Sequence, residues 1–350
     1  MANSKDVYLV LGGDTFVGRH VVEQLKARND TVFVFDAAAS HADVQSFLGD
    51  IRDPDQISNA IQKTGATCII HTLSPLSIAN RENPTIFHDV NVHGTNNVIS
   101  VAKSKGVRKL VYHGSSGVVF DGRDIANGDE SLPYARKHPH PYTTSRIMAE
   151  KAVLAANDSN GLKTACIRPT GIYGVGDQEM TVGAYDTWKR GATHVQLGNN
   201  QNLCDRTYVS DIAHALILAA DKLEDPAADV AGQTFFITGN EPILFWDFMR
   251  RMWAGFDAAF PHLAKPARKP AVIPRPLVFL LAYAMQFVAW ITGREPSLTP
   301  YKATFATATM YFSSEKAKRL LGYTPKVSVD EGIRRTIEWV KAETEAGKWH

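Results

Sequence analysis

Apolar residues fall in short blocks through the first half of the chain, with helix-period stretches between them. Strand-like runs lie at 7–12, 31–36, 67–73, 108–115 and 163–168. Helical stretches lie at 17–28, 54–64, 84–105 and 142–157. Strands that alternate with helices predict a parallel sheet covered on both faces. After Pro169 the pattern loosens into Gly- and Pro-containing loops through 171–205. A further helix fits 210–223 and a strand fits 233–238.

The first apolar run breaks at Gly12-Gly13-Asp14-Thr15-Phe16-Val17-Gly18 and passes into a helical pattern at Val21, Val22 and Leu25. A strand, a glycine turn and a helix start form an anion site. Free backbone N–H groups and the positive helix end face a dinucleotide pyrophosphate. Asp36 ends the next apolar run. A carboxylate there accepts hydrogen bonds from ribose hydroxyls and repels a 2′-phosphate, so the expected cofactor is NAD rather than NADP. Glycines are expected at 12, 15 and 18, but position 15 is Thr, whose Cβ is expected to crowd the phosphate approach. The fold class expected is α/β, a Rossmann-type doubly wound parallel sheet with a smaller C-terminal substrate domain. Its NAD-binding unit covers 1–170 and is completed by about 204–240. The substrate unit covers 171–203 and 241–350, and lies over the strand ends, where ligands of open α/β sheets bind.

Tyr142 opens a helix in Pro141-Tyr142-Thr143-Thr144-Ser145-Arg146, and Arg146 lies four residues on, on the same face. Upstream, Lys109-Leu110-Val111-Tyr112-His113-Gly114-Ser115-Ser116 is a strand ending in hydroxyls. A Tyr to exchange a proton, a Ser to hold the oxygen and a cation to favour the phenolate and hold a ribose make a carbonyl/alcohol site.

With these motifs the chain resembles the extended short-chain dehydrogenases, most closely the sterol-4α-carboxylate 3-dehydrogenases (decarboxylating) and 3β-hydroxysteroid dehydrogenases. Further segments carry the resemblance: Asn91-Val92-His93-Gly94-Thr95-Asn96-Asn97-Val98, Arg168-Pro169-Thr170-Gly171-Ile172-Tyr173-Gly174, Phe236-Ile237-Thr238-Gly239-Asn240-Glu241-Pro242, Glu295-Pro296-Ser297-Leu298-Thr299-Pro300 and Leu321-Gly322-Tyr323-Thr324-Pro325. The resemblance implies Ser115 as the catalytic serine, with Ser116 its neighbour, and Tyr142 as the catalytic tyrosine. It implies Lys at position 146 and Gly at position 15, where this chain has Arg146 and Thr15. Arg keeps the charge but cannot readily relay a proton. The cofactor contacts implied are Gly12, Gly13, Thr15, Phe16, Val17, Gly18, Asp36, Asp50, Ile51, Asn91 and Pro169. The reaction implied is NAD-dependent oxidation of a 3β-hydroxyl on a sterol-like molecule, with loss of a C4 carboxylate. The alternatives are a dehydrogenase or ketoreductase of a terpenoid-type metabolite, and a non-redox isomerase or binding protein on the same fold.

Residues 277–291 are nearly unbroken in apolar character and follow Lys265, Arg268 and Lys269. The run is short for a bilayer span. Three readings stand: a buried helix, a surface-lying membrane helix or lipid-substrate portal, and a true span. The membrane readings imply the cytoplasmic face of the endoplasmic reticulum or a lipid droplet; the alternative is cytoplasmic.

The formal net charge of +2 gives no support for nucleic-acid binding, and none is expected; a homodimer is. Cys68, Cys166 and Cys204 lie far apart and read as buried hydrophobes. The histidines, among them His71, His88, His93, His113, His138 and His140, show no metal-ligand spacing on a common element, so no metal is expected. The first strand begins by Val7, so no signal peptide is expected, and there is no internal repeat. Asp50 and Asp53 suit either a place near adenine or a turn. Ser313-Ser314-Glu315 reads as a helix start, and 315–345 as a solvated helix face.

Overall fold

Seven strands form the central sheet: β1 (Val7–Leu11), β2 (Thr31–Asp36), β3 (Ser46–Leu48), β4 (Cys68–His71), β5 (Lys109–His113), β6 (Lys163–Pro169) and β7 (Gln233–Ile237). Their order is β3-β2-β1-β4-β5-β6-β7, and every pair is parallel. This computed structural model describes residues 6–39, 41–75, 85–136, 140–266, 268–293, 296 and 298–349; position 84, His138, Glu295 and Ser297 lie outside them. The chain order reverses between β1 and β4, so the crevice of a doubly wound sheet opens there, beyond the strands' carboxyl ends.

Successive residues of β1 serve opposite faces. Tyr8 and Val10 join a core with Val21, Val22 and Leu25 of helix α1 (Phe16–Ala27), while Leu9 and Leu11 join a second core with Ile57, Val98 and Val153. The last three belong to α2 (Pro54–Thr64), α3 (Thr95–Ser104) and α4 (Pro141–Ala155). Asp53 caps α2 by accepting from the Asp55 and Gln56 N–H groups, which gives it the turn role.

The helix expected over 84–105 divides. An α-turn at Thr85–His88 is followed by a π-helical turn at Asp89–Gly94 and then by α3. At Gly94 the helix approaches so closely that a Cβ would lie 2.6 Å from the Ile51 side chain.

Beyond the sheet the chain adds α5 (Met180–Lys189), α6 (Val209–Lys222), α7 (Phe245–Ala259), α8 (Arg275–Thr292), α9 (Pro300–Thr307), α10 (Glu315–Leu321) and α11 (Val329–Glu345). A second sheet aligns Ile243–Leu244, Leu203–Cys204, Met310–Phe312 and Ile125–Gly128 in that order. The charged residues of 315–345 form the expected solvated face, with Lys318, Arg319, Arg334, Glu338 and Lys341 exposed, while the apolar side of the same two helices, Ala317, Leu321, Ile333, Ile337 and Val340, shares the core of α1 and α6. Packing therefore crosses the expected boundary at 241.

Helix α8 buries only Val278 and Ala282, so the buried-helix reading of 277–291 is corrected. Leu280, Tyr283, Phe287, Trp290 and Ile291 are exposed, Trp290 by 80%. By length and composition α8 is long and apolar enough to cross a membrane.

Candidate active site

Gly12 adopts φ +85, and a Cβ at Gly18 would lie 1.9 Å from the Gly12 carbonyl oxygen. The turn thus admits no side chain at either point. Thr15 caps α1. Its hydroxyl donates to the Gly12 carbonyl at 2.6 Å and accepts the Gly18 N–H at 3.2 Å. Thr72, at the end of β4, donates to the same carbonyl at 2.9 Å. The Thr15 hydroxyl is therefore bound within the loop. The amides of Phe16 and Val17 are the first two of α1, positions with no intrahelical acceptor. Both residues line a cavity of ≈ 1690 Å³ together with Asp14 and Thr15.

Asp36 ends β2 beside this turn, buried, and accepts the Asp14 N–H at 3.0 Å and the Ala37 N–H at 2.7 Å. Burial pushes its carboxyl above the ordinary range, against the pull of those two donors. Of the remaining expected contacts, Asp50 is paired with Arg52 at 2.5 Å, and Ile51 is buried in the core. Asn91 is buried in the π-turn, where its Nδ2 donates to Ser145 Oγ at 2.9 Å, and Ser145 donates to the Tyr142 carbonyl at 2.8 Å. Asn91 thus reaches the start of α4. Gly13 approaches Val34 closely, and Pro169 lines the cavity at the end of β6.

Ser115, Ser116, Tyr142 and Arg146 line that cavity too. Ser115 follows β5 and accepts the Gly117 N–H at 3.2 Å, opening a short 3₁₀ turn. Tyr142 sits in the first turn of α4. The His140 ring caps that helix, its Nδ1 accepting the Tyr142 N–H at 3.2 Å, and Pro141 occupies the first helical position.

Arg146 is only 1% exposed. Its Nη2 donates to the carbonyls of His113 and Gly114, and its guanidinium lies 4.9 Å over the Tyr112 ring and 5.9 Å over the Tyr142 ring. Among the described residues its Nε and Nη1 are buried without a hydrogen-bond partner, as are the Tyr112 hydroxyl and both His113 ring nitrogens. Glu150, one turn further along α4, is committed to Arg168 at 2.6 Å. Burial, and then the Arg146 charge, hold His71 and His113 near pKa 3, so both are neutral. A buried cation beside orphaned donors on a cavity wall suits hydroxyl groups of a ligand. With the glycine turn and Asp36, these residues fit a dinucleotide.

Sequence reasoning missed the far wall. Phe87 packs edge-on against Tyr142 and His140, and His140 against Tyr301 of α9, with centroids 5.6 to 5.7 Å apart. Tyr301 contacts Phe305, and burial, then Tyr142, push its phenol up to about 12. Tyr283, Gln286 and Ala289 of α8 also line the cavity. The periodic aromatics of 301–305 were the available signal. The π-turn brings His88, Asp89 and His93 together in space, their ligand atoms within 4.8 Å of one another, a grouping that their linear spacing did not announce.

Sheet order, glycine turn and the Ser-Tyr-cation set define a Rossmann-type enzyme of the short-chain dehydrogenase class. Residues 9–266 match the model of the 3-beta hydroxysteroid dehydrogenase/isomerase family, and the chain belongs to that family. It is 36% identical to the decarboxylating sterol-4-alpha-carboxylate 3-dehydrogenase of Candida albicans, over 98% of this chain and 100% of the relative. It is 39% identical to the mouse enzyme of the same description, over 94% of this chain and 89% of the relative. The UDP-glucose 4-epimerase of Thermotoga maritima shares the fold, with TM-score 0.73 and 19% identity over 96% of this chain and 99% of that one. So does the Thermus thermophilus UDP-glucose 4-epimerase, solved with NAD, with TM-score 0.69 and 24% identity over 95% and 98%.

Proposed function

We propose that this protein uses NAD to oxidise the 3β-hydroxyl of a sterol or sterol-like substrate bearing a C4 carboxylate. The observation that carries the reading is that Ser115, Tyr142 and Arg146 line the same cavity as the glycine turn. Its ≈ 1690 Å³ exceeds the roughly 300–1,000 Å³ of a single drug-sized site, so it suits a dinucleotide and a polycyclic molecule together. When bound, the dinucleotide supplies the hydride acceptor. Tyr142 takes the proton of the 3β-hydroxyl; among the described residues its own hydroxyl has no protein partner. Ser115 holds the same oxygen. Arg146 is a fixed cation beneath Tyr142 and offers Nε and Nη1 to ribose hydroxyls. A ketone at C3 lies β to the carboxylate and acts as its electron sink, so CO₂ leaves through an enolate whose oxygen Ser115 and Tyr142 stabilise. In this reading 1–170, completed by about 204–240, is the nucleotide unit, and 171–203 with 241–350 the substrate unit. Tyr142→Phe removes only the hydroxyl. Oxidation of a 3β-hydroxysteroid should fall by about two orders of magnitude or more while NADH affinity persists. No hydride transfer by the wild type with any hydroxysteroid would leave the non-redox alternative.

The substrate reaches the site from a membrane. Helix α8 turns Tyr283, Gln286 and Ala289 toward the cavity and exposes Phe287, Trp290 and Ile291. A helix with an apolar exterior and basic residues nearby suits the bilayer interface, here the cytoplasmic face of the endoplasmic reticulum or a lipid droplet. The protein should sediment with anionic vesicles, and Phe287→Ser with Trp290→Ser should release it without unfolding. A homodimer covering this face would instead give a doubled mass in solution and no vesicle binding.

A further inference from the structure

Five residues apart on an α-helix, two side chains lie on different faces; the i→i+5 pattern of a π-turn brings them into line. Residues 89–94 form such a turn, and it stacks the His88 and His93 rings edge to face with centroids 4.7 Å apart. Asp89 adds a carboxylate, and the three ligand atoms fall within 4.8 Å of one another. Two exposed imidazoles beside a half-buried carboxylate suit a borderline divalent ion. We propose that His88, Asp89 and His93 form a site for a divalent transition metal of the zinc or nickel type, separate from the cavity.

None of the three residues lines the cavity, so the site stands independently of the proposed reaction. Among the described residues the Asp89 carboxylate has no ion-pair partner, and the neighbouring Arg52 is paired with Asp50 at 2.5 Å. That leaves the Asp89 carboxylate available to the ion. Both histidines are exposed, so a ligand has access and the remaining coordination positions can hold water.

The turn also carries Asn91, which is bound through Ser145 to the backbone of Tyr142. An ion bridging residues 88, 89 and 93 closes the turn on the side opposite that link. A local clamp of this kind lowers the opening frequency of the segment.

The test uses the full chain without an added histidine tag, stripped of metal by a chelator and titrated calorimetrically with ZnCl₂ and NiCl₂. The expected result is one equivalent bound, with affinity reduced at least about tenfold in His88→Gln/His93→Gln and less in Asp89→Asn. Zinc should raise the melting temperature and slow amide exchange over 89–95 in the wild type alone. Equal binding by the wild type and the double variant overturns the site. Binding without slowed exchange overturns the clamp. Since these side chains are exposed, the double variant should melt as the wild type does when no metal is present.

Discussion

Arg146 donates to the Gly114 carbonyl at 2.8 Å, so the cation of the site is anchored to the backbone at the end of β5 rather than to a carboxylate. The one acid nearby on its helix, Glu150, is held by Arg168 through three contacts of 2.6 to 3.1 Å. A fixed guanidinium orients and polarises but does not exchange its proton. Arg146→Lys should therefore fold and keep or raise turnover, since Lys is a compact, proton-exchanging cation. Arg146→Met should fold and lose turnover. Initial rates with a 3β-hydroxysteroid, read beside melting curves, check both; a Lys variant slower than the Met variant contradicts the assignment.

Thr15 should matter through its hydroxyl. It bonds the Gly12 carbonyl and caps Gly18, so Thr15→Ala should destabilise the protein by about 1 kcal/mol, whereas Thr15→Ser should be nearly neutral. Urea unfolding of the three proteins measures this. Equal losses in Ala and Ser would shift the role to the methyl group.

Asp36 already accepts two backbone N–H groups, and its remaining lone pairs suit ribose hydroxyls. NADH should bind the wild type more tightly than NADPH at equal ionic strength, and Asp36→Ser should narrow that preference. Equal wild-type affinities exclude this role.

Asp205 predicts a pH dependence. One oxygen accepts the Phe312 N–H at 2.8 Å, and burial pushes the carboxyl up to about 7. The unfolded value is about 3.9, so between the two the native state holds more protons. The stability this group contributes is fully present below about pH 4 and is lost as the pH rises through about 7. Melting temperatures from pH 5 to 8 should fall less steeply in Asp205→Asn than in the wild type. Parallel slopes would assign the dependence to other groups.

The apolar runs announced the six long strands, and the glycine turn with Asp36 marked the crevice. β3 escaped because three residues, Ser46–Leu48, carry no period. The π-turn escaped because one extra residue per turn leaves no trace in a hydrophobic pattern, and the ligand geometry of His88 and His93 went with it. The second sheet is built from strands of two to four residues whose partners lie far away in sequence. Tyr142 and Arg146 could be paired by their spacing. The acceptors of Arg146 could not be foreseen, because they are main-chain carbonyls, which every residue carries. The continuity of 277–291 was plain, but a sequence does not say which side of a helix meets protein.

Helix α8 is at once a wall of the cavity and part of the outer surface. For an enzyme resting on a bilayer by such a helix, substrate arrives by lateral diffusion within the leaflet. Its rate then follows the mole fraction of substrate among lipids, not the amount per volume of buffer. Adding inert phospholipid at constant total substrate should slow turnover by dilution in two dimensions, and detergent micelles should do the same.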